Sequence, residues 1–204
     1  DVDLIHECVV KMAKEISDFM DITPDKQRMD SLMVAANIRN LSLLELFYTC
    51  AANLCKIMDE RGTKIPDEQH HYIEKDDYNK CIYHKRDMDA TERTVIVMKD
   101  ADILIKICDS TGDFDDTSEY QLLIRLLKER TIIDDDGPRR LRQKEEVENP
   151  SEVLLNPSDP EATFRYKAGG KRLGYVGNVV EAVGEKSSLV IDYDYQQNTY
   201  ADNQ

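Results

Sequence analysis

Residues 26–34 have the sequence KQRMDSLMV, a short apolar run with one acidic residue, Asp30, in its middle. Aspartate is uncommon inside strands, because its side chain competes for backbone hydrogen bonds and is costly to bury. Two interpretations remain open. Either residues 27–34 form a strand that holds the Asp30 carboxylate in a rigid position, as a Mg²⁺ site requires, or Asp30 caps a helix that begins at Ser31.

Two further strands are predicted near the end of the chain. Residues 174–183 (GYVGNVVEAV) and 187–197 (SSLVIDYDYQQ) have strand-like apolar content and are joined by a short turn. We expect the strand at 27–34 to pair with the strand at 174–183. Asp30 is expected on the face of this pair that looks toward an open cleft.

These later strands also contain acidic residues. Asp192 and Asp194 are two positions apart, so on a strand both side chains point to the same face. They are either further metal ligands near Asp30 or an exposed polar face, and the second interpretation is preferred. Glu181 is interpreted in the same way.

The region between the strands is predicted to be helical. A capping residue followed three positions later by Glu begins predicted helices at Ser42, Asp89 and Asp116. The fold class is therefore α+β, with a sheet that is interrupted by a large helical insertion. The predicted segments are an N-terminal helical segment (1–26), a first core strand with Asp30 (27–40), a helical insertion (41–130), a basic linker (131–172) and two further core strands (173–204).

Apolar residues at helical spacing predict which side chains are packed. Residues 3–20 carry five of them on one helix face: Ile5, Val9, Met12, Ile16 and Phe19. In the insertion we expect five side chains to be largely buried, each contributing roughly 1.5–3 kcal/mol. They are Phe47, Leu54, Ile105, Leu123 and Leu126.

The charge of the chain is acidic overall but locally basic. The 204 residues carry a formal net charge of −14, and phosphate binding depends on local Lys and Arg rather than on the total. Two clusters are uninterrupted by acids: Arg139, Arg140, Arg142 and Lys144, and Arg165, Lys167, Lys171 and Arg172. We expect both clusters to contact DNA phosphates, with the second forming an edge beside Asp30. The alternative for each is a solvated loop.

Five cysteines occur without a C-x-x-C pair, which indicates reduced, mostly buried thiols in a cytoplasmic protein. A zinc site made by His70, His71 and Cys81 is a weaker alternative. No apolar run is long enough to cross a bilayer.

Four segments in this order resemble the DDE-type transposases of bacterial insertion sequences: KQRMDSLMVAANI, LSLLELFYTCAANL, NPSDPEATFRYKAGGKRLGYVGNVVEAVG and DYDYQQNTYADNQ. The resemblance implies an RNase-H-like core in which acidic residues bind two Mg²⁺ or Mn²⁺ ions for DNA cleavage and strand transfer. Asp30 matches the first catalytic Asp of the family, and residues 174–183 and 187–197 match the second and third core strands. Segments that match the second catalytic Asp and the Glu are absent, so we expect an inactive fragment.

The same resemblance implies double-stranded DNA as partner, both terminal inverted repeats and target, and a homodimeric parent enzyme in the bacterial cytoplasm. Two other functions remain open. One is a non-enzymatic, acidic helical interaction module, which leaves the basic 165–172 stretch and the strand pair without an explanation. The other is a metal-dependent nuclease on the same core, which Asp30 alone does not distinguish from a transposase.

Overall fold

The structure is a computed structural model that describes residues 3–22, 26–84, 88–134, 137–167, 169–185 and 187–199. The chain divides into two compact units. The sheet unit comprises Asp1–Asn37 and Ala162–Gln204, and the helical unit comprises Ile38–Glu161. The sequence-based boundary between residues 172 and 173 therefore falls inside the sheet unit, and the predicted linker is shared between the two units.

The helices and strands follow one another in a mixed order. They are α1 (Leu4–Met20), β1 (Gln27–Ala35), α2 (Leu43–Glu60), the single turn α3 (Asp77–Asn79), α4 (Ala90–Thr111), α5 (Ser118–Arg130), β2 (Thr131–Ile133), β3 (Arg139–Leu141), β4 (Thr163–Lys167), β5 (Gly170–Val183) and β6 (Ser188–Gln197). Short turns of 3-10 or π geometry lie at His70–Ile73, Lys80–His84 and Lys144–Glu146. The mixture of helices and antiparallel strands is an α+β fold.

In the helical unit, α2, α4 and α5 pack around one apolar core. Phe47, Leu54, Leu123 and Leu126 are fully buried there, as predicted. Ile105 is only partly buried and packs against the edge of this core. The apolar pattern identified the core well because α2 and α5 each turn one apolar face toward their neighbours.

The predicted capping patterns differ in outcome. The Ser42–Glu45 capping box is confirmed, since each residue's side chain accepts a hydrogen bond from the other's backbone N–H. Asp89 caps α4 through the N–H of Thr91 rather than through a full box with Glu92. The box predicted at Asp116 is wrong: α5 is preceded by Thr117, which makes no side-chain capping bond.

The segment predicted as a linker contains ordered structure. β2 and β3 pair as an antiparallel hairpin directly after α5, and Leu154 is fully buried in the core of the helical unit. Polar composition and a Gly-Pro pair predicted an exposed connection in this region. The prediction fails at the apolar residues Val153 to Leu155, because their side chains are buried and fix this part of the chain against the protein.

In the sheet unit, the long strand β5 pairs with three others, all antiparallel. β1 pairs with residues 174–182 of β5 along one edge, which confirms the predicted pairing. β6 pairs with residues 175–183 along the other edge, and β4 pairs with residues 170–174. The alternative in which Asp30 caps a helix is wrong, because Asp30 lies inside β1.

Candidate nucleic-acid interface

Asp30 lies directly opposite Val179 in the pairing of β1 with β5, and Val179 in turn lies opposite Tyr193 of β6. Directly opposed residues point to the same face of a sheet. The even-numbered residues Val176 and Ala182 of β5 are fully buried, whereas the face of Asp30 and Val179 is more open. The Asp30 carboxylate is exposed and accepts a hydrogen bond from the N–H of Ser31.

The neighbouring acidic side chains do not converge on Asp30. Glu181 is on the same face and is bound by Arg28 at 2.7 Å. Asp192 lies opposite Val180 and Asp194 opposite Asn178, so both side chains belong to the opposite face. Both are exposed, as the preferred interpretation predicted, and they are not metal ligands beside Asp30.

A metal site is therefore incomplete. Among the residues that the structure describes, no group of three or more His, Cys, Asp or Glu side chains is placed to hold a metal ion. Mg²⁺ demands several oxygen ligands in near-octahedral geometry, and Asp30 supplies one carboxylate. The zinc alternative at His70, His71 and Cys81 fails the same test; His71 is instead hydrogen-bonded to Asp77 at 2.8 Å.

A depression on the sheet lies near Arg28 rather than at Asp30. An open depression of about 470 Å³ lies at one end of the sheet, lined by Arg28, Glu181 and the residues around the β5–β6 turn. Asp30 is not one of its lining residues. The Asp30 side chain is exposed on the more open face of the sheet, and a cleft beside it stays a prediction.

The second basic cluster lies on a two-stranded ribbon formed by β4 (163–167) and the first residues of β5 (170–174); we call it the basic ribbon. Arg165 lies opposite Arg172, and Tyr166 lies opposite Lys171. Alternation along the strands places the two arginines on one face and Lys171 on the other. The Lys171 ammonium lies 4.0 Å from the centre of the Phe164 ring. The backbone of Lys167 belongs to β4, but its side chain is outside the described part of the structure.

Two arginines directly opposite one another are unfavourable unless an anion lies near them. Arg172 is exposed and Arg165 is half-buried. Within the described ranges, no carboxylate forms an ion pair with either guanidinium, and the buried Nε of Arg165 has no hydrogen-bond partner. The two guanidinium groups are therefore a candidate site for an anion such as a phosphate.

The basic ribbon is not beside Asp30. Lys171 and Arg172 precede Val179, the residue opposite Asp30, by eight and seven positions along β5. At roughly 3.3 Å per residue this is a separation of about 23–26 Å, far longer than a Debye length of about 8 Å. The expectation of one phosphate-binding edge next to Asp30 is wrong, because the ribbon extends along the strand away from it.

The arginines of the first basic cluster form ion pairs and hydrogen bonds with other residues of the helical unit. Arg139 binds Asp102 and the Thr131 hydroxyl, at 2.8 Å each. Arg140 binds both Asp134 and Glu146, and its hydrogen bonds lower the pKa of the Glu146 carboxyl to about 2.

Arg142 donates to the backbone carbonyls of Thr131 and Glu146. The three arginines hold the β2–β3 hairpin to its surroundings, and Lys144 is exposed. Contact of this cluster with DNA stays a prediction.

Sequence reasoning missed a polar cluster in the helical unit. Tyr48 donates to Asp77 at 2.6 Å, and Tyr72 donates to Asp100 at 2.8 Å. Burial raises the pKa of both tyrosines. Tyr48 and Tyr72 also line a cavity of about 410 Å³ between α2 and the turn near Ile73. Only the abundance of tyrosine in the sequence hinted at this arrangement.

Four of the five cysteines are buried thiols, as predicted: Cys50, Cys55, Cys81 and Cys108. Cys8 on α1 is exposed. Among the described residues, no helix combines the length and the apolar content needed to cross a bilayer. Comparisons of the chain with protein-family models, with curated proteins and with solved structures found no match.

Proposed function

We propose that this chain forms part of the catalytic core of a DDE-type DNA transposase, with Asp30 as a catalytic carboxylate. The observation that carries the proposal is the strand order. β1, β5 and β6, which contain the segments that resemble the first three core strands, are neighbours in that order in one antiparallel sheet. Asp30 is central in the first of them, on the more open face. An RNase-H-like core is the fold that this proposal requires.

In this proposal Asp30 contributes one ligand to a pair of Mg²⁺ or Mn²⁺ ions, which supply the Lewis acidity for phosphodiester cleavage and strand transfer. The described residues do not complete the ligand set, because Arg28 holds Glu181 and the carboxylates of β6 lie on the other face. We therefore expect the chain by itself neither to cleave nor to join DNA. What this chain supplies is a rigid carboxylate and a surface for DNA.

The basic ribbon is the DNA-binding part of the proposal. β1 ends opposite Gly174 and β6 ends opposite Tyr175, so the ribbon extends beyond both as two strands. A two-stranded ribbon fits the major groove of B-DNA. Arg165 and Arg172 on one face and Lys171 on the other would then meet the two phosphate backbones that border the groove.

The distance between the ribbon and Asp30 sets the geometry of the complex. A separation of about 25 Å corresponds to roughly seven nucleotides at 3.4 Å per nucleotide along a strand. The ribbon would thus hold the duplex several base pairs from the phosphodiester near Asp30. Its role is to position DNA, not to neutralise the reacting phosphate.

A salt titration of duplex binding tests this proposal. The affinity of the chain for a fluorescent duplex is measured by anisotropy, for the wild type and for the Lys171→Gln/Arg172→Gln variant. Each lost phosphate contact reduces the slope of log K against log salt by about 0.9, so we expect a slope smaller by up to about two units. The matched control is Lys11→Gln/Lys14→Gln, which removes the same charge from exposed positions on α1.

The control keeps the wild-type slope if the ribbon is the binding element. Equal slopes for both double variants would contradict a specific role for the ribbon. An absence of duplex binding by the wild type would favour the non-enzymatic interaction module. The nuclease alternative predicts the same DNA contacts, and only an assay of strand transfer by a complete enzyme separates it from transposition.

A further inference from the structure

Three tyrosines line the cavity between α2 and the turn near Ile73, which has a volume of about 410 Å³; we call it the tyrosine cavity. Tyr48 packs against Tyr72 with 5.2 Å between the ring centres, and against Tyr78 with 5.4 Å. The ring planes are inclined by 55° in the first pair and by 79° in the second. The three rings therefore border the cavity from different directions. A space of this size is within the range of small-molecule sites.

Two of these rings are joined through their hydroxyl groups to carboxylates. Tyr48 donates to Asp77, which is 8% exposed and also lies 2.8 Å from Nδ1 of His71. Tyr72 donates to Asp100, which also accepts from the Gln69 amide at 2.7 Å. Both carboxylates thus bind phenol, imidazole or amide groups in the described part of the unit. Their negative charge lies next to the aromatic rings, in surroundings where charge acts more strongly than in water.

The charged side chains that line the tyrosine cavity itself balance one another. Glu74 and Asp76 are acidic, whereas Lys56 and Lys75 are basic, and all four are exposed. Exposed charges are hydrated and are screened by salt. The sign of the ligand that the cavity prefers is therefore set by the tyrosine rings and by the two carboxylates bonded to them.

We propose that the tyrosine cavity binds a small organic ammonium ion. The face of a tyrosine ring is negative and attracts a cation, and the attraction grows when water is excluded. Alkyl groups on the nitrogen also bury apolar surface against the rings. A neutral ligand of the same shape would gain nothing from the carboxylates. The site belongs to the helical unit alone, and the proposal does not rest on the proposed function.

Choline and its uncharged carbon analogue, in which a tert-butyl group replaces the trimethylammonium group, test the proposal. Each is titrated into the isotope-labelled chain, and the shifts of the amide signals of Asn53 and Ile73, which line the cavity, report binding. We expect choline to bind with a dissociation constant in the millimolar range. The carbon analogue should bind about tenfold more weakly, because it has the same shape without the charge.

A pair of substitutions at Tyr78 isolates the contribution of an aromatic ring. Tyr78→Phe and Tyr78→Leu both remove the hydroxyl that bonds Arg39 and Glu45, and they differ in the ring. The Phe variant should bind choline within about twofold of the wild type, and the Leu variant at least about fivefold more weakly.

A second pair of substitutions isolates the contribution of a carboxylate. Asp100→Asn keeps the shape of the side chain and removes its charge, so choline should bind about threefold to tenfold more weakly. Glu92→Gln is the matched control, because it removes the same charge from an exposed position in the first turn of the same helix, α4. Far-ultraviolet circular dichroism checks that each variant is folded.

The comparison of choline with its carbon analogue uses the wild-type chain and does not depend on any variant. Equal affinity for the two probes overturns the proposal, as does an absence of amide shifts with choline. Acetate that binds more tightly than choline would assign the cavity to an anion held by Lys56 and Lys75. Equal affinities of the Tyr78→Leu and Tyr78→Phe variants for choline would place the binding site elsewhere.

Discussion

Replacing Tyr48 with Phe removes one hydroxyl from the buried polar cluster of the helical unit. The hydroxyl donates to Asp77 at 2.6 Å, and the same carboxylate oxygen is 2.8 Å from Nδ1 of His71. Tyr48 is 3% exposed and Asp77 8% exposed, so water does not replace the lost donor. Burial raises the pKa of Tyr48, which keeps the hydroxyl protonated as a donor at neutral pH. A hydrogen bond to a charged group contributes about 1.5–3 kcal/mol, and we expect a loss near 2 kcal/mol.

Tyr120→Phe is the matched control. The Tyr120 hydroxyl also donates to a carboxylate, that of Asp109, but Asp109 is exposed and water can take the place of the phenol. We expect this variant to lose only about 0.5 kcal/mol.

Urea unfolding followed by the helical signal measures both changes. With a slope of roughly 2 kcal/mol per molar urea, the midpoint of Tyr48→Phe should fall by about 1 M at unchanged slope. A loss in Tyr120→Phe equal to that in Tyr48→Phe would refute the argument from burial. So would an unchanged midpoint for Tyr48→Phe.

Three other predictions follow from backbone geometry and thiol burial. Gly174→Ala should disrupt the pairing of β1 with β5, because φ is 137° and an added Cβ would lie 2.1 Å from a backbone oxygen of β1; Gly62→Ala, at φ 71° in open space, should cost only about 1–2 kcal/mol in thermal unfolding. A thiol reagent at neutral pH should modify Cys8 rapidly in the folded chain and all five cysteines in denaturant. Burial raises the pKa of both Cys50 and Cys55 from 9.0 to about 12. Their contribution to the free energy of unfolding is therefore present below pH 9 and is lost as the pH rises toward 12, by up to about 1.4 kcal/mol per pH unit for each thiol. In urea unfolding, the Cys50→Ala/Cys55→Ala variant should lose less free energy of unfolding per pH unit than the wild type, and an equal dependence on pH would contradict the prediction.

Local patterns in the sequence determined the main helices, the strands β1, β5 and β6, and much of the core. The Ser42–Glu45 capping box begins α2 as predicted, because both partners lie within one helical turn. The burial of Phe47, Leu54, Leu123 and Leu126 follows from helical periodicity. The pairing of β1 with β5 follows from two apolar runs of similar length.

The arrangement of charges and exposed surfaces was decided only by the tertiary structure. The residues at 165–172 are close in sequence, but strand alternation divides them between two faces and the register of β5 carries them far from Asp30. The cluster at 139–142 is basic in sequence, yet its arginines bind Asp102 on α4, the carbonyl of Thr131 across the hairpin and Glu146 in the turn that follows it. The stripe on α1 has the periodicity of a core helix, yet four of its five members are exposed: Ile5, Met12, Ile16 and Phe19. Periodicity specifies that an apolar face exists, whereas its burial depends on which surface the rest of the chain brings to it.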